Sequence, residues 1–454
     1  MKKTLVILLA VMFLMTSLFS GCGGAKQDQP AAGTQTEKEA PKAEAKAEGK
    51  PAEKKTTSFT FWTFVELHKQ FYDDAVATWN KANPNDQINF KGDVYPYDEM
   101  HNKLQIALQS GTGAPDIVDI EMTKFPVFLK GDTALAPLNS VVEPMKDKLI
   151  MGRFENYAKD GKYYGIEYHI GATVAFYNKE ILDKAGVKAE DIKTWADFTE
   201  KGKLVLEKTG KPMTTIETNN MWSFFPLINQ QGSDYLNKDG SVQVDNPTNI
   251  ATLQFLKDMV YKDKIAVLAP GGEHHAEAYY AFMNKGGAAS VIMPLWYMGR
   301  FLEYMPDLKG KIVIRPMPAW KEGGFRSAGM GGTGTAVTNQ CKNSDLAVKF
   351  LAASKLTKEG AIKVWTVLGF DPVFKDVYDD PALSAPNKYT DYFGTDIMAT
   401  VKSVLNEINP INVGEKFTDC AMGVGRTAIF KALKEQSQTP EQALKTLSDE
   451  IRKK

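Results

Sequence analysis

The sequence SFTFWTF at residues 58–64 alternates polar and apolar side chains and is rich in strand-favouring residues, which predicts a β-strand. The next stretch, HKQFYDDAVATWNKANP, predicts a helix that ends near Asn83-Pro84. Its apolar face carries residues spaced four apart: Leu67, Phe71, Ala75 and Trp79. DQINFKGDV, YDEMHNKLQIALQSG and APDIVDIE then predict a strand, a helix closed by Gly111 and a third strand. This alternation has the spacing of right-handed βαβ units and predicts an α/β lobe.

Predicted strands and helices alternate again further along the chain. TVAFYNKEILDKAG predicts a strand followed by a helix, and MTTIET, GAASVIMP and KIVIRPMP predict strands. NPTNIATLQFLKDMVYKDK predicts a helix that starts at Asn246-Pro247. Further helices are predicted at TWADFTEKGKLVLEKTG, SDLAVKFLAAS and TKEGAIKVWTVLG, and the chain is expected to be largely helical from residue 394 onward. We therefore expect a second α/β lobe.

Bulk composition limits the class of protein. With 43% apolar and 24% charged residues the chain has ordinary globular composition, and residues 58–454 are long enough for two domains. The formal net charge is zero, and no basic stripe of the kind that attracts phosphate backbones is present in the sequence. Nucleic acid is therefore not expected as a partner.

The N-terminus predicts export followed by a flexible segment. Lys2 and Lys3 precede an apolar run from Leu5 to Leu18 and then small residues, which is typical of a cleaved signal over residues 1–21. That run is short for a membrane anchor. Residues 22–57 consist largely of Ala, Lys, Glu, Gln, Pro and Gly, which bury too little apolar surface to order the chain, so we expect a tether.

Two motifs fail the tests for cofactor and metal binding. Gly329 to Gly334 satisfies G-x-G-x-x-G, but the strand-like TAVTN follows it where a dinucleotide site needs a helix. Its glycines are instead expected to allow close approach of backbone at a crossover or a ligand surface. His274 and His275 are adjacent and lack the i, i+4 spacing of zinc helices, which favours a solvated helix start. No cofactor and no metal are predicted.

A carboxylate pair and two cysteines leave alternatives open. Asp119 and Glu121 stand on one face at the end of the strand APDIVDIE, where ligands bind in open α/β sheets. They could act as a catalytic pair, as glycoside hydrolysis requires, or accept hydrogen bonds from ligand hydroxyls. Cys341 and Cys420 could form one disulfide or remain two buried thiols.

The order of the motifs resembles that of a known family. SFTFWTF, SGTGAPDIVDIE, LKGDTALAPLN, YYGIEYHIGATVAFYNKEIL, NPTNIATLQFLKDM, GAASVIMPLWYM and GGTGTAVTN precede a helical tail, as in the extracellular solute-binding protein family 1. These are sugar-type binding proteins of ABC importers, similar to maltose-binding protein. The resemblance covers residues 58–454 and implies a two-lobed, periplasmic-binding-protein-like α/β fold of type II with the ligand cleft between the lobes.

The resemblance also implies domain boundaries. It places crossovers near residues 168–171, 331–334 and 375–381. Lobe one is then expected to comprise residues 58–169 and 332–378, and lobe two residues 170–331 and 379–454. Hinge closure around the ligand is the expected mechanism, and a permease would recognise the closed form.

The N-terminus is similar to a bacterial lipoprotein signal. Phe19-Ser20-Gly21-Cys22 resembles a lipobox, although Phe19 stands where the family usually has Leu. The resemblance implies a diacylglyceryl thioether on Cys22, palmitate among its acyl chains, and anchoring at the extracellular face of the membrane of a Gram-positive bacterium.

Ten ligand-binding residues follow from matching the motifs to the family: Trp62, Glu66, Asp119, Glu121, Trp222, Trp296, Gly331, Gly332, Phe370 and Asp371. A sugar ring has an apolar face of C–H groups and a rim of hydroxyls, so aromatic platforms beside acceptors suit it. Trp79 and Trp365 lie on helical stripes and are assigned to the core. Where the family often has a further tryptophan in the C-terminal region, Phe417 could substitute.

The resulting hypothesis is a monomeric, non-enzymatic receptor that delivers a carbohydrate to ABC permease subunits. One alternative keeps the fold but binds a metal chelate, a polyamine or an anion. A second alternative is an anchored glycoside hydrolase that uses Asp119 and Glu121.

Overall fold

The computed structural model of the protein describes residues 54–394 and 396–454. Its strands are β1 Lys55–Thr63, β2 Asp86–Val94, β3 Ile117–Glu121, β4 Ala158–Lys159, β5 Lys162–Tyr163, β6 Ile166–Glu167, β7 Thr173–Asn178, β8 Thr214–Ile216, β9 Ala266–Leu268, β10 Ser290–Pro294, β11 Ile312–Pro316 and β12 Thr333–Val337. The predicted signal, the lipid attachment at Cys22 and the tether up to residue 53 lie outside the described residues.

The α-helices are α1 Glu66–Ala82, α2 Tyr97–Ser110, α3 Phe125–Phe128, α4 Asn139–Val142, α5 Lys179–Ala185, α6 Trp195–Thr209, α7 Phe225–Asn229, α8 Pro247–Tyr261, α9 Glu277–Asn284, α10 Met298–Tyr304, α11 Ser344–Lys355, α12 Lys358–Lys363, α13 Lys388–Phe393, α14 Ile397–Lys402, α15 Phe417–Gly423 and α16 Pro440–Lys453. The described part of the chain also has three π-helical turns, Val364–Leu368, Val424–Ala428 and Phe430–Lys434. Within the described residues no helix has the length and apolar character needed to cross a membrane.

Helix ends follow the local signals in the sequence. Helix α1 ends just before Asn83-Pro84 as predicted. Gly111 closes α2 in the left-handed conformation at φ 74°, which glycine adopts without steric cost. The side chain of Asn246 accepts a hydrogen bond from the Asn249 amide and caps α8.

Strand β1 begins three residues earlier than predicted, at Lys55. It pairs in parallel with β2 along its whole length, from Lys55 beside Asp86 to Thr63 beside Val94. Because β2 extends this far, residues 55–57 continue the same ladder, and the assignment of these three residues to the tether is corrected.

The first sheet has the strand order β2-β1-β3-β12-β6. Strands β1, β2 and β3 run parallel and are joined by α1 and α2, as the βαβ spacing predicts. Strand β12, more than two hundred residues later in the chain, returns antiparallel between β3 and β6. The first sheet therefore contains a strand that arrives through a crossover.

The second sheet has the order β10-β7-β11, with both neighbours antiparallel to the central strand β7. Two crossovers connect the sheets, residues 168–172 between β6 and β7 and the glycine-rich segment before β12. Isolated bridges join His169 to Pro372 and Ala172 to Gly329, so three chain segments run side by side between the sheets. This is the predicted two-lobed α/β architecture.

The C-terminal region is less helical than predicted. After α14, residues 403–416 form turns and extended chain up to α15. The segment contains Asn409-Pro410 and Gly414, which break helices, and amide side chains hold it in place. Asn409 Nδ2 donates to Asn229 O at 2.7 Å, and Asn412 Nδ2 donates to Leu236 O at 2.9 Å.

The core residues behave largely as the apolar patterns predict. Trp365 is fully buried, whereas Trp79 is half-buried and donates its indole N–H to Asp86 O at 2.9 Å. Cys341 and Cys420 are buried free thiols that belong to separate apolar clusters. Burial raises the pKa of Cys341 to about 11 and that of Cys420 to about 12. Of the two possibilities left open by the sequence, the structure has the unpaired thiols.

Candidate ligand-binding site

A cavity of about 490 Å³ lies between the two sheets. On one side it is lined by the first turns of α1 and α2 and by the loop after β3. On the other side are the loop at residues 219–222, helix α10 and residues 421–426, with the glycine-rich crossover at the base. Ligands of open α/β sheets bind at such strand ends.

One wall of the cavity is aromatic. The rings of Trp222 and Trp296 meet edge to face at 5.2 Å, and the His275 ring stacks near Trp296 at 5.8 Å with 27° between the planes. The Trp296 indole N–H donates to Met330 O at 3.2 Å, which fixes the ring against the crossover. Burial, aided by Arg300, lowers the pKa of His275 to about 3, so its ring is neutral. The wall is a fixed, uncharged surface.

The buried carboxyl residue Glu217 joins the loop that carries Trp222 to the turn that carries His275. Glu217 is fully buried and accepts a hydrogen bond from the His274 amide at 2.8 Å, while its own amide donates to Ser223 Oγ at 3.0 Å. The hydroxyl of Tyr297 donates to His274 O. The residues of this hydrogen-bonded cluster include Ser223, His274 and Tyr297. Each of them is the chain neighbour of one residue of the aromatic wall: Trp222, His275 and Trp296.

The cavity wall in lobe one carries a hydrogen-bond acceptor. Glu121 Oε2 accepts from Tyr97 Oη at 2.9 Å, from the Thr123 amide at 2.8 Å and from the Thr123 hydroxyl. Its Oε1 is buried and has no partner. Burial raises the pKa of Glu121, and the bonds from Thr123 and Tyr97 offset this only in part. Glu121 lines the cavity, and a carboxyl group of this kind accepts hydrogen bonds from hydroxyls.

A neutral histidine positions this acceptor. His101 Nδ1 lies 2.7 Å from Tyr97 O, and its Nε2 accepts from the Glu121 amide at 3.1 Å. These contacts require the proton on Nδ1. Burial lowers the pKa of His101 to about 4, which keeps the ring in this neutral form. The histidine thus fixes two cavity-lining residues through their backbones.

Charges of both signs surround the cavity. Lys124 Nζ lies 3.0 Å from Asp98 Oδ1, and Arg300 Nη1 lies 3.4 Å from Glu303 Oε2. The other charged residue types in the lining are two acids, Glu121 and Glu273, and one base, Arg426. With no dominant sign of charge, the lining suits a neutral polar ligand better than an ion.

The glycine-rich crossover at the base requires glycine. Gly331 and Gly332 have φ values of 68° and 153°, and both line the cavity. A Cβ atom at Gly332 would collide with the Glu167 carboxylate and the Arg153 guanidinium. The expected close approach of the backbone at this motif is confirmed.

Of the ten predicted site residues, six line the cavity: Glu121, Trp222, Trp296, Gly331, Gly332 and Phe370. Trp62 does not. It is 7% exposed, packs on Tyr95 at 5.4 Å, and lies below Lys103 Nζ at 4.5 Å. Because β1 ends at Thr63 and the chain turns into α1, the half-buried Phe64 takes the cavity position expected for Trp62.

Asp119 also lies away from the cavity. Its carboxylate is fully buried and accepts hydrogen bonds from Thr63 Oγ1 at 2.9 Å and Thr335 Oγ1 at 2.5 Å, with His68 Nδ1 at 2.9 Å. Burial raises the pKa of Asp119, but His68, Lys355 and Thr335 together outweigh it and the net direction is downward. Asp119 therefore organises lobe one, and it is not paired with Glu121 across the cavity.

Two further predicted site residues, Glu66 and Asp371, do not line the cavity. Glu66 is exposed in the first turn of α1, where its charge suits the helix dipole. Asp371 is fully buried and accepts from the Ala172 amide at 2.7 Å and the Gly171 amide at 3.3 Å. It ties the crossovers together and does not line the cavity.

The C-terminal side of the cavity differs from the expectation. Phe417 is buried against Phe225 and Tyr235 and does not take the place of a ligand-facing tryptophan. The cavity is lined there by residues of α15 and of the π-helical turn that follows, among them Gly425 and Arg426. Such π-turns occur frequently at functional sites.

Most of the cavity lining is not predicted from the sequence, including the functional side chains of His68, Tyr97, His275 and Arg426. The predicted solvated helix start at His275 is wrong, because α9 begins at Glu277 and the histidine lies in the preceding turn against Trp296. Tyr97 could have been found, because it opens the helix that follows β2, and strand ends of this kind carry ligand contacts.

The fold and the cavity define a two-lobed binding protein, and comparison with known sequences identifies the family. The pattern of the family described as bacterial extracellular solute-binding protein matches residues 65–359, so the chain belongs to that family. Its members are binding proteins, and the prediction that this chain is not an enzyme is thereby confirmed.

Two relatives cover nearly all of the chain. The arabinooligosaccharide-binding protein of Bacillus subtilis (strain 168) is 48% identical over 457 residues, which is 100% of both chains. The arabinooligosaccharide-binding protein of Halalkalibacterium halodurans is 50% identical over 396 residues, 87% of this chain and 89% of its own.

Solved structures agree on the fold. The GacH receptor of Streptomyces glaucescens GLA.O superposes with a TM-score of 0.69 at 22% identity, covering 87% of this chain and 97% of the receptor. The cyclic alpha-maltosyl-1,6-maltose binding protein of Arthrobacter globiformis gives 0.71 at 20% identity, covering 88% and 98%. The predicted fold class is confirmed.

Proposed function

We propose that this chain is the receptor of an ABC importer and that its ligand is a neutral oligosaccharide built of arabinose. The observation that carries the proposal is the cavity itself, which is lined both by an aromatic wall of Trp222, His275 and Trp296 and by the carboxyl residue Glu121. A sugar ring has an apolar face, which suits the aromatic wall, and outward hydroxyls, which suit a carboxyl acceptor.

The choice of sugar rests on the two relatives at 48% and 50% identity, whose names specify arabinooligosaccharides. Identity of this order over whole chains supports a shared ligand class more strongly than fold similarity does, because a fold alone does not determine what a site binds. The permease subunits are the proposed partners, and a monomer is the proposed form.

The two alternatives from the sequence are less well supported. An anion or a polyamine would call for one sign of charge, whereas the lining carries both. Among the described residues no group of three or more potential metal ligands is found. A hydrolase would need two carboxylates across the cavity, but Asp119 is buried and already has four side-chain partners around it.

Closure of the lobes is the proposed mechanism, with the boundaries expected from the resemblance: residues 58–169 and 332–378 against residues 170–331 and 379–454. Several hydrogen bonds cross between these parts, and one of them, from the Thr418 hydroxyl to Thr123 O, lies beside cavity-lining residues. Thr123 also donates a hydrogen bond to Glu121. A ligand bound to Glu121 would therefore influence the position of Thr123 and its hydrogen bond with Thr418. We expect ligand binding to stabilise the closed form.

A thermal-shift series tests the ligand assignment. The full-length protein is expected to gain stability with arabinooligosaccharides, about 2.7 kcal/mol at a ligand concentration one hundred times Kd, because binding to the native state alone adds this free energy. Maltooligosaccharides of equal length serve as the control and are expected to give a smaller shift. A shift with a polyamine, an anion or a metal chelate and none with any sugar would contradict the proposal, as would release of smaller sugars from the bound ligand.

Anchoring through Cys22 is proposed on the lipobox resemblance. We expect the native protein to begin at Cys22 and to carry a diacylglyceryl group on its sulfur, which anchors it at the extracellular face of the membrane. Intact-mass and N-terminal peptide measurements on protein taken from its native membrane test this. An unmodified Cys22, or cleavage at another position, would contradict it.

A further inference from the structure

A stacked pair of tyrosines lies beside the cavity. The rings of Tyr280 and Tyr304 are 4.5 Å apart between centroids and nearly parallel, with 4° between their planes. Tyr280 is 6% exposed and belongs to α9, whereas Tyr304 is 40% exposed and closes α10. The buried ring therefore supports the exposed one, and the pair presents aromatic surface to solvent.

Helix α10 connects this pair with the cavity. Trp296 just before the helix, then Gly299, Arg300 and Glu303 line the cavity at intervals of three and four residues, so one helical face looks into it. Tyr304 stands four residues after Arg300 and directly after Glu303. A chain that bound against Trp296 and followed the helix would pass the Arg300 and Glu303 side chains before it reached Tyr304.

The polar surroundings of the pair are those of the cavity edge. Burial raises the pKa of Tyr280 to about 12, and three cavity-lining charges, Arg300, Glu303 and Glu273, also act on this pKa, so they lie close to the pair. Exposed aromatic surface beside charged donors and acceptors offers a sugar ring both a platform and partners for its hydroxyls.

We propose that Tyr304, backed by Tyr280, forms an outer subsite that binds a sugar residue of an oligosaccharide extending beyond the main cavity on the α10 side. The inference rests on the proposed function, because it assigns a further part of the same ligand. The subsite makes the receptor favour longer chains. The shortest ligands fill the main cavity and do not reach Tyr304.

Calorimetric titration of the full-length protein with linear arabinooligosaccharides of increasing length tests the subsite. In Tyr304→Ala, we expect unchanged affinity for the shortest ligand that binds and a loss of about 3- to 10-fold for the longer ones, the range for one aromatic contact. Tyr304→Phe keeps the ring and is expected to retain the wild-type dependence on chain length.

Further controls distinguish a failure of the outer subsite from a failure of the proposed function. Phe325→Ala removes an aromatic residue of similar exposure, 37%, outside the cavity lining and is expected to leave every affinity unchanged. Equal affinities of Tyr304→Ala and the wild type at all lengths, or an equal loss at all lengths, would overturn the subsite while leaving the proposed function intact. If the wild-type protein binds no arabinooligosaccharide, the proposed function fails and the subsite with it.

Discussion

Replacing Arg153 by methionine is expected to lower the free energy of unfolding by about 3–5 kcal/mol, because it leaves a fully buried carboxylate without its counter-ion. Arg153 Nη2 lies 3.0 Å from Glu167 Oε2, and the two side chains are 5% and 0% exposed. The guanidinium also donates to Gly331 O, so it joins the first crossover to the second. The loss should appear in urea denaturation followed by tryptophan fluorescence and circular dichroism together.

The loss is expected to depend on pH. Burial raises the pKa of Glu167, but Arg153, His169 and the hydrogen bonds from Tyr157 and Thr333 outweigh it, and the net shift is downward. A carboxyl with a lowered pKa stabilises the fold above its unfolded pKa of about 4.3, and this contribution disappears as the pH falls through the folded value. Without Arg153 the burial contribution dominates, so Glu167 is expected to take up a proton more readily. The difference between variant and wild type should therefore be largest near neutral pH and smaller in acid.

Two further variants serve as controls for this prediction. Arg153→Met combined with Glu167→Gln removes the stranded charge and is expected to recover part of the lost stability. Arg315→Met removes one member of an exposed ion pair, with Glu190, and is expected to cost at most about 1 kcal/mol. Equal losses for Arg153→Met and Arg315→Met would show that burial of the Arg153 pair does not matter to stability.

Much of the fold was predictable because its signals are local. The apolar spacing of α1, the glycine after α2 and the Asn246 cap of α8 each act within a few residues, and each appears in the structure. The placement of β12 between β3 and β6 depends on contacts far apart in sequence. The order of motifs implied only that residues 332–378 belong to lobe one, and no local propensity of residues 333–337 indicates where the strand pairs.

The site was predicted less completely, since the direction of a side chain depends on where its element ends. Trp62 and Phe64 are equally plausible on the pattern SFTFWTF, and only the end of β1 at Thr63 decides which one meets the cavity. Asp119 and Glu121 alternate on one strand, yet one is enclosed by hydroxyls and a histidine while the other keeps an unpartnered oxygen. The role of His275 depends on a turn held by Glu217, which sequence spacing does not reveal.

Trp296→Ala is expected to weaken binding of arabinooligosaccharides by about 30- to 150-fold, or about 2–3 kcal/mol. The ring supplies burial, stacking and shape to one wall of the cavity, and buried tryptophans in binding sites commonly have effects of this size. It also supports its neighbours, since Trp222 and His275 both pack on it. Calorimetric titration of the variant and the wild type measures the change.

Matched variants separate ligand contact from loss of structure. Trp296→Phe keeps an aromatic face but loses the hydrogen bond to Met330 O, so its affinity should fall between those of the wild type and the alanine variant. Trp320→Ala removes another half-buried tryptophan, one that lies outside the cavity lining and donates to Leu227 O. It should unfold more easily yet bind with nearly normal affinity. If Trp296→Ala and Trp320→Ala weaken binding equally, the aromatic wall has no specific part in holding the sugar, because general destabilisation of either lobe would then account for both.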